Sequence, residues 1–211
     1  TVINVTDDAY VNWQLVNNNY GSAATLNVSL TSLITWLKFD LSSIPKGAEI
    51  SYADLELHTA EDGVTNPHFV DAKLLHNNFN NAWSEKTITA SNQPHFESPL
   101  TLDTEYVDNN ETTYEWDVTA AVVAALHNNV TALTIVIQFP SGAEAPQVKF
   151  KSKEGNFRPN MTEFSRLTLI YDVIPEFSLF SIPITIVTTV AVLFLKRKVK
   201  QTGKTATISS T

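Results

Sequence analysis

The sequence predicts an all-β domain, a two-sheet β-sandwich with one short helix over residues 1–172, followed by a single C-terminal transmembrane helix. Three observations predict it. Short segments of alternating apolar and polar residues recur between turn-forming residues. One Ala-rich run, Ala120 to His127, breaks that alternation. The segment Ser178 to Leu195 holds 18 residues without a charge and stands directly before Lys196-Arg197-Lys198.

The elements follow in chain order. In TLNVSL, Leu26, Val28 and Leu30 share one face and Asn27 lies on the other. WLKFDL sets Leu37, Phe39 and Leu41 inward, opposite Trp36, Lys38 and Asp40. The same parity turns Ala53, Leu55 and Leu57 inward in SYADLELHT, and Val70, Ala72 and Leu74 inward in VDAKLL. The Ala-rich run suits a two-turn helix, capped by Asp117 or Thr119 and ended by an Asn that tolerates the left-handed conformation. ALTIVIQF is apolar enough to be a central strand buried on both faces. QVKFKSK then places Val148 and Phe150 inward, and SRLTLIYD does the same for Leu167, Leu169 and Tyr171. Seven or more strands without a long helix favour two packed sheets.

Residues 173–177 form a short juxtamembrane linker, and 178–195 span about 27 Å as a helix, close to the thickness of a bilayer core. The basic tail, 196–211, stays on the cytoplasmic side, which puts residues 1–177 on the extracellular face of the membrane. Residues 1–10 lack the basic and apolar regions of a signal peptide, so the chain reads as a mature form or a fragment. Five sequons begin at Asn4, Asn27, Asn110, Asn129 and Asn160, in keeping with export; ordinary polar turn chemistry also accounts for such triplets.

All 22 acidic side chains and nine of the basic ones lie before residue 178, a net charge of −13, which argues against a nucleic-acid partner. With no cysteine, disulfides, thiolate metal sites and thiol catalysis are excluded. The five histidines show no zinc-binding spacing and no GxSxG elbow is present, so no catalytic residue is assigned. The Asp7-Asp8 and Glu61-Asp62 pairs are candidates for a structural Ca²⁺, the alternative being solvated loop charges. No other cofactor is expected.

Sugar binding needs an aromatic ring to stack on a pyranose and polar groups to bond its hydroxyls. Trp36, beside Lys38 and Asp40, is the first candidate; the alternative is that it packs under a loop or against an edge. Tyr10 and Trp13 form a second candidate patch, which could equally close one end of the core. Trp83 and Trp116 read as core. Lys151, Lys153 and Glu154 read as surface ion-pairing groups or as contacts for an anionic sugar.

Six stretches, DAYV at 8–11, NYGSAATLNV at 19–28, LKFDLSSIPKGAEISYADLEL at 37–57, WSEKTIT at 83–89, YEWDVT at 114–119 and FKSKE at 150–154, together resemble the DNRLRE domain. The resemblance implies a carbohydrate-binding-module-like jelly roll of archaeal and bacterial surface proteins. It covers nearly all of residues 1–172; Lys153 stands where that family usually has Arg, and Asn92-Gln93-Pro94 replaces its usual Trp-Asn pair. Pro175-Glu176-Phe177, ahead of the apolar segment and basic cluster, resembles an archaeal PEF-type sorting signal, which implies an archaeosortase-like processing enzyme and a lipid anchor; the polar tail after the basic cluster departs from that pattern.

The expected function is a cell-surface-anchored, non-catalytic binding or adhesion module for a polysaccharide or glycan of the envelope or matrix. The alternative is a self-assembling subunit of an envelope layer or filament, whose partners are other envelope proteins or its own copies. A polysaccharide lyase or hydrolase is disfavoured by the missing catalytic constellation.

Overall fold

The computed structural model describes residues 1–30, 32–75, 81–95, 99–140, 147–155 and 165–173. The predicted membrane segment, the PEF tripeptide and Asn160 lie outside them. Among the described residues no helix is long and apolar enough to cross a membrane.

Among the described residues, ten strands and one helix belong to the compact unit Thr1–Ile174. In chain order they are β1 (Val2–Asn12), β2 (Thr25–Ser29), β3 (Leu33–Asp40), β4 (Ala48–Val64), β5 (His68–Leu74), β6 (Leu100–Val107), β7 (Thr113–Asp117), α1 (Thr119–His127), β8 (Ala132–Gln138), β9 (Gln147–Lys151) and β10 (Arg166–Val173). Every pairing is antiparallel. The all-β expectation with one short helix therefore holds, but the two expected sheets are not separate. One set of ladders runs β1–β3–β8–β5–β6 and another joins β1, β10, β4 and β7. Pairings β4–β9, β9–β2 and β2–β3 complete a ring, so the hydrogen-bonded sheet closes on itself like a barrel.

Strand length is the physical reason for the closure. β1 has 11 residues and β4 has 17, more than one layer needs. Each changes partner beside an irregularity: β1 leaves β10 for β3 between Asn4 and Val5, next to the register shift at Val5/Asp7, and β4 takes up β9 at Thr59, where a register shift runs to Val64. Gly63 makes the second bend possible, because a Cβ there would lie 2.5 Å from the Lys149 carbonyl oxygen.

The main core fills the ring. Leu55, Leu57, Trp116, Leu167 and Leu169 meet Leu37, Phe39, Val70, Ala72, Leu133 and Ile135, as the alternation required. Trp116 and Phe150 meet edge to face at 5.9 Å, and the Trp116 indole N–H donates to the Val70 carbonyl at 2.9 Å. β8 is central, between β3 and β5, with Leu133 to Ile137 buried on both faces. In α1, Ala121, Val122 and Ala125 are buried; Thr119 is its first residue, and Val118, rather than the expected Asp117 or Thr119, is the N-cap with no side-chain capping bond, while the Asp117 carboxylate accepts the Thr119 N–H at 2.9 Å. Asn129 follows in the left-handed region, φ 55°.

A second core lies on the other face of β1, β3 and β8. Ala9, Val11, Trp36 and Val136 are roofed by Trp83, Ile88 and Ala90 of the segment 81–93, with Leu75 alongside. Asn19 pins the roof by donating at 2.7 Å to the carbonyls of both Glu85 and Ile88. Gly21 lets the roof approach, since a Cβ at that position would sit 1.9 Å from the Glu85 carbonyl oxygen.

Candidate functional site

The residues proposed for sugar contact do not converge. Trp36 has the expected parity, opposite Leu37 and Phe39, but it is completely buried and meets Trp83 edge to face at 6.1 Å. Its ring offers no free face to a ligand, because the 81–93 segment has taken that place; this corrects the expectation of a surface platform. Lys38 lies under the same roof. Its ammonium is 4.6 Å from the Trp83 ring centroid and 3.4 Å from Asp7, and it donates to the Trp83 carbonyl. Asp40 is exposed at the end of β3, where hydrogen bonds from Ser42 hold its carboxyl below the usual range.

Tyr10 faces away from Trp36, since Ala9, not Tyr10, is the residue paired with Trp36. It stacks on Tyr20 at 4.4 Å, and burial raises its phenol pKa. Trp13, 49% exposed, stands in the turn after β1 with Leu15 and Val16, both open to solvent. Of the predicted patch, Trp13 has the open ring and Tyr10 is engaged by its neighbour.

The larger open aromatic surface is one the sequence reading missed. Phe69 of β5 and Tyr106 of β6 are direct cross-strand partners, 52% and 49% exposed, with ring centroids 5.0 Å apart. Two residues along the same face, Asp71 pairs with Thr104 on one side and Gln138 on the other. The Thr104 hydroxyl donates to Asp71 at 2.6 Å and Lys73 bridges the same carboxylate at 3.1 Å. Rings able to stack on a sugar therefore share one sheet face with hydroxyl, carboxylate, amide and ammonium groups, of which the Asp71 carboxylate is buried and the Lys73 side chain largely covered. β6 escaped notice because Asp103, Glu105 and four exposed residues leave little apolar alternation in LTLDTEYV; its Thr and Tyr content was the available signal.

The acidic pairs separate. Asp7 bonds to Lys38 and accepts the Glu85 N–H at 3.1 Å, while Asp62 bonds to Lys149 at 2.7 Å, so neither pair acts as a unit. Asp8 turns instead toward Glu85 and Glu154, and carboxylate oxygens of the three lie within 4.8 Å of one another. Burial pushes the Asp8 carboxyl up to about 8, against the Lys153 N–H that its Oδ2 accepts at 2.9 Å. Lys153 also bonds to Glu85, so it belongs to this cluster rather than to an anion-binding surface. Lys151 is buried and pairs with Glu111 at 3.1 Å.

Asn4, Asn110 and Asn129 are exposed and Asn27 is half-buried. The Asn110 amide oxygen accepts the Val64 N–H at 2.7 Å, and Asn129 borders a pocket of about 260 Å³ with Leu41, Ile44, Pro45, Leu126 and Val130. No aromatic ring lines that pocket.

An antiparallel β-fold with stacked-strand aromatics open on one sheet face and polar groups in register beside them belongs to the class of β-rich binding modules. More particularly, residues 1–162 match carbohydrate-binding module family 96, and the chain belongs to that family. Membership makes residues 1–162 a carbohydrate-binding module, a class of non-catalytic binding domains. No curated protein matches the chain.

Proposed function

We propose that the chain is a cell-surface-anchored adhesion module that binds a polysaccharide of the envelope or extracellular matrix through the open face of β5 and β6. The observation that carries the site is the Phe69–Tyr106 pair, two half-exposed rings beside the Asp71–Thr104–Lys73 group on a module of a carbohydrate-binding family. The uncharged run 178–195 and its basic flank support an anchor, and the sequons at Asn4, Asn110 and Asn129 support export. On this reading the domain is of the DNRLRE type, and the PEF tripeptide is a substrate for an archaeosortase-like enzyme.

The test is a glycan and polysaccharide panel against wild type, Phe69→Ala/Tyr106→Ala and Trp13→Ala. Binding at micromolar Kd should weaken at least about tenfold in the double variant, the equivalent of about 1.4 kcal/mol. Loss in Trp13→Ala instead would move the site to the turn after β1. No binding to any glycan would favour the second reading, a self-assembling envelope subunit. That reading draws on β6, which among the described residues pairs only with β5 and carries exposed Leu100 and Tyr106.

A further inference from the structure

We propose that Asp8, Glu85 and Glu154 form a binding site for a hard divalent cation, Ca²⁺ in class, that fastens the roof of the second core to β1 and to the end of β9. The three residues come from β1, the 81–93 segment and the turn after β9, so an ion held among them would join three segments distant in sequence. The proposal is independent of where the sugar binds.

Three observations carry it. The first is geometric: one carboxylate oxygen from each residue lies within 4.8 Å of the others, the span across a Ca²⁺ ion with ligands at about 2.4 Å. The second is an unmet demand. Asp8 is only 1% exposed, yet among the described residues its Oδ1 has no hydrogen-bond partner, and neither has the buried Oε2 of Glu154. A desolvated carboxylate oxygen without a donor is costly, and no donor among the described residues answers either atom.

The third is charge. Lys153 neutralises one of the three carboxylates: its ammonium bonds to Glu85, reaches Glu154 Oε1 at 3.5 Å and donates to the Thr6 carbonyl at 2.6 Å. Asp7 and Lys38 cancel each other next door. With all three carboxylates ionised, as binding of a cation to Asp8 requires, two negative charges remain, the charge a divalent cation balances. All-oxygen ligands suit Ca²⁺, and backbone carbonyls or water would complete its shell.

The experiment uses the full chain stripped with chelator, then titrated with CaCl₂ by calorimetry and followed by thermal unfolding. One Ca²⁺ per chain and a rise in Tm of about 5 °C or more at saturating ion are expected. Glu154→Gln and Asp8→Asn should abolish both responses, while Asp62→Asn should keep them. Should Asp8→Asn fail to fold, Glu154→Gln and Glu85→Gln decide alone. An unchanged Tm with no heat of binding in wild type, or a full response in Glu154→Gln, overturns the proposal.

Discussion

Trp36 shows how a single side chain can have the expected direction and the opposite surroundings. Its indole points away from the main core, yet it is as buried as anything inside the ring, between Ala9, Val11 and Val136 below and Trp83 above. Removing it would open a cavity in this small satellite core. Trp36→Ala should cost about 3–5 kcal/mol, read as a lowered denaturant midpoint. Any loss of sugar binding in that variant reports unfolding rather than contact. Glu56 offers a second test at this scale. Burial opposes its charge, but the Arg166 guanidinium, at 2.8 Å from Nε, and the Thr168 hydroxyl more than compensate, leaving its carboxyl below its usual value of 4.5. A group depressed in the folded state stabilises above its unfolded pKa and loses that contribution as pH falls through the folded one. The stability gap between wild type and Glu56→Gln should therefore be largest near neutrality and shrink below about pH 4.5. Denaturant titrations at pH 7, 4.5 and 3 measure it.

At the scale of elements, much of the fold was legible. The inward sets Leu37/Phe39, Leu55/Leu57, Val148/Phe150 and Leu167/Leu169 all reach the main core, because period-two alternation is a local property of the chain. The doubly buried character of β8 was equally plain in its unbroken apolar run. The helix lay within a residue of its expected start. What local pattern could not reveal was the 81–93 segment. It has no strand or helix periodicity, and its hold depends on Asn19 and Gly21, far away in sequence. The same separation hid the carboxylate cluster. Asp8 was a candidate ligand from its sequence, but the obvious companion, Asp7, points to Lys38, since adjacent strand residues face opposite sides. Its actual companions, Glu85 and Glu154, become visible only once the roof is in place.

For the whole molecule, family membership gives carbohydrate binding, and the rings Phe69 and Tyr106 of the proposed binding face belong to neither core. Ligand contact and stability are thus separable: substitutions at Phe69 and Tyr106 should alter affinity at unchanged Tm, and substitutions at Trp36 the reverse. The closed ring has one further outcome, which concerns load. β10 lies between β1 and β4, and it leaves the ring beside the start of β1, where the Thr1 ammonium donates to the Leu169 carbonyl at 2.7 Å. Tension between the two chain ends would peel β1 from β10 one hydrogen bond at a time. Tension entering at β5–β6 and leaving through β10 would instead strain the long β4–β10 ladder along its length, so that its bonds must fail together. Single-molecule pulling should find the domain mechanically weak when held by its ends and much stronger when held by β5 and by the end of β10. A module that hangs by β10 and grips by β5 would then be strongest along the direction in which it is used.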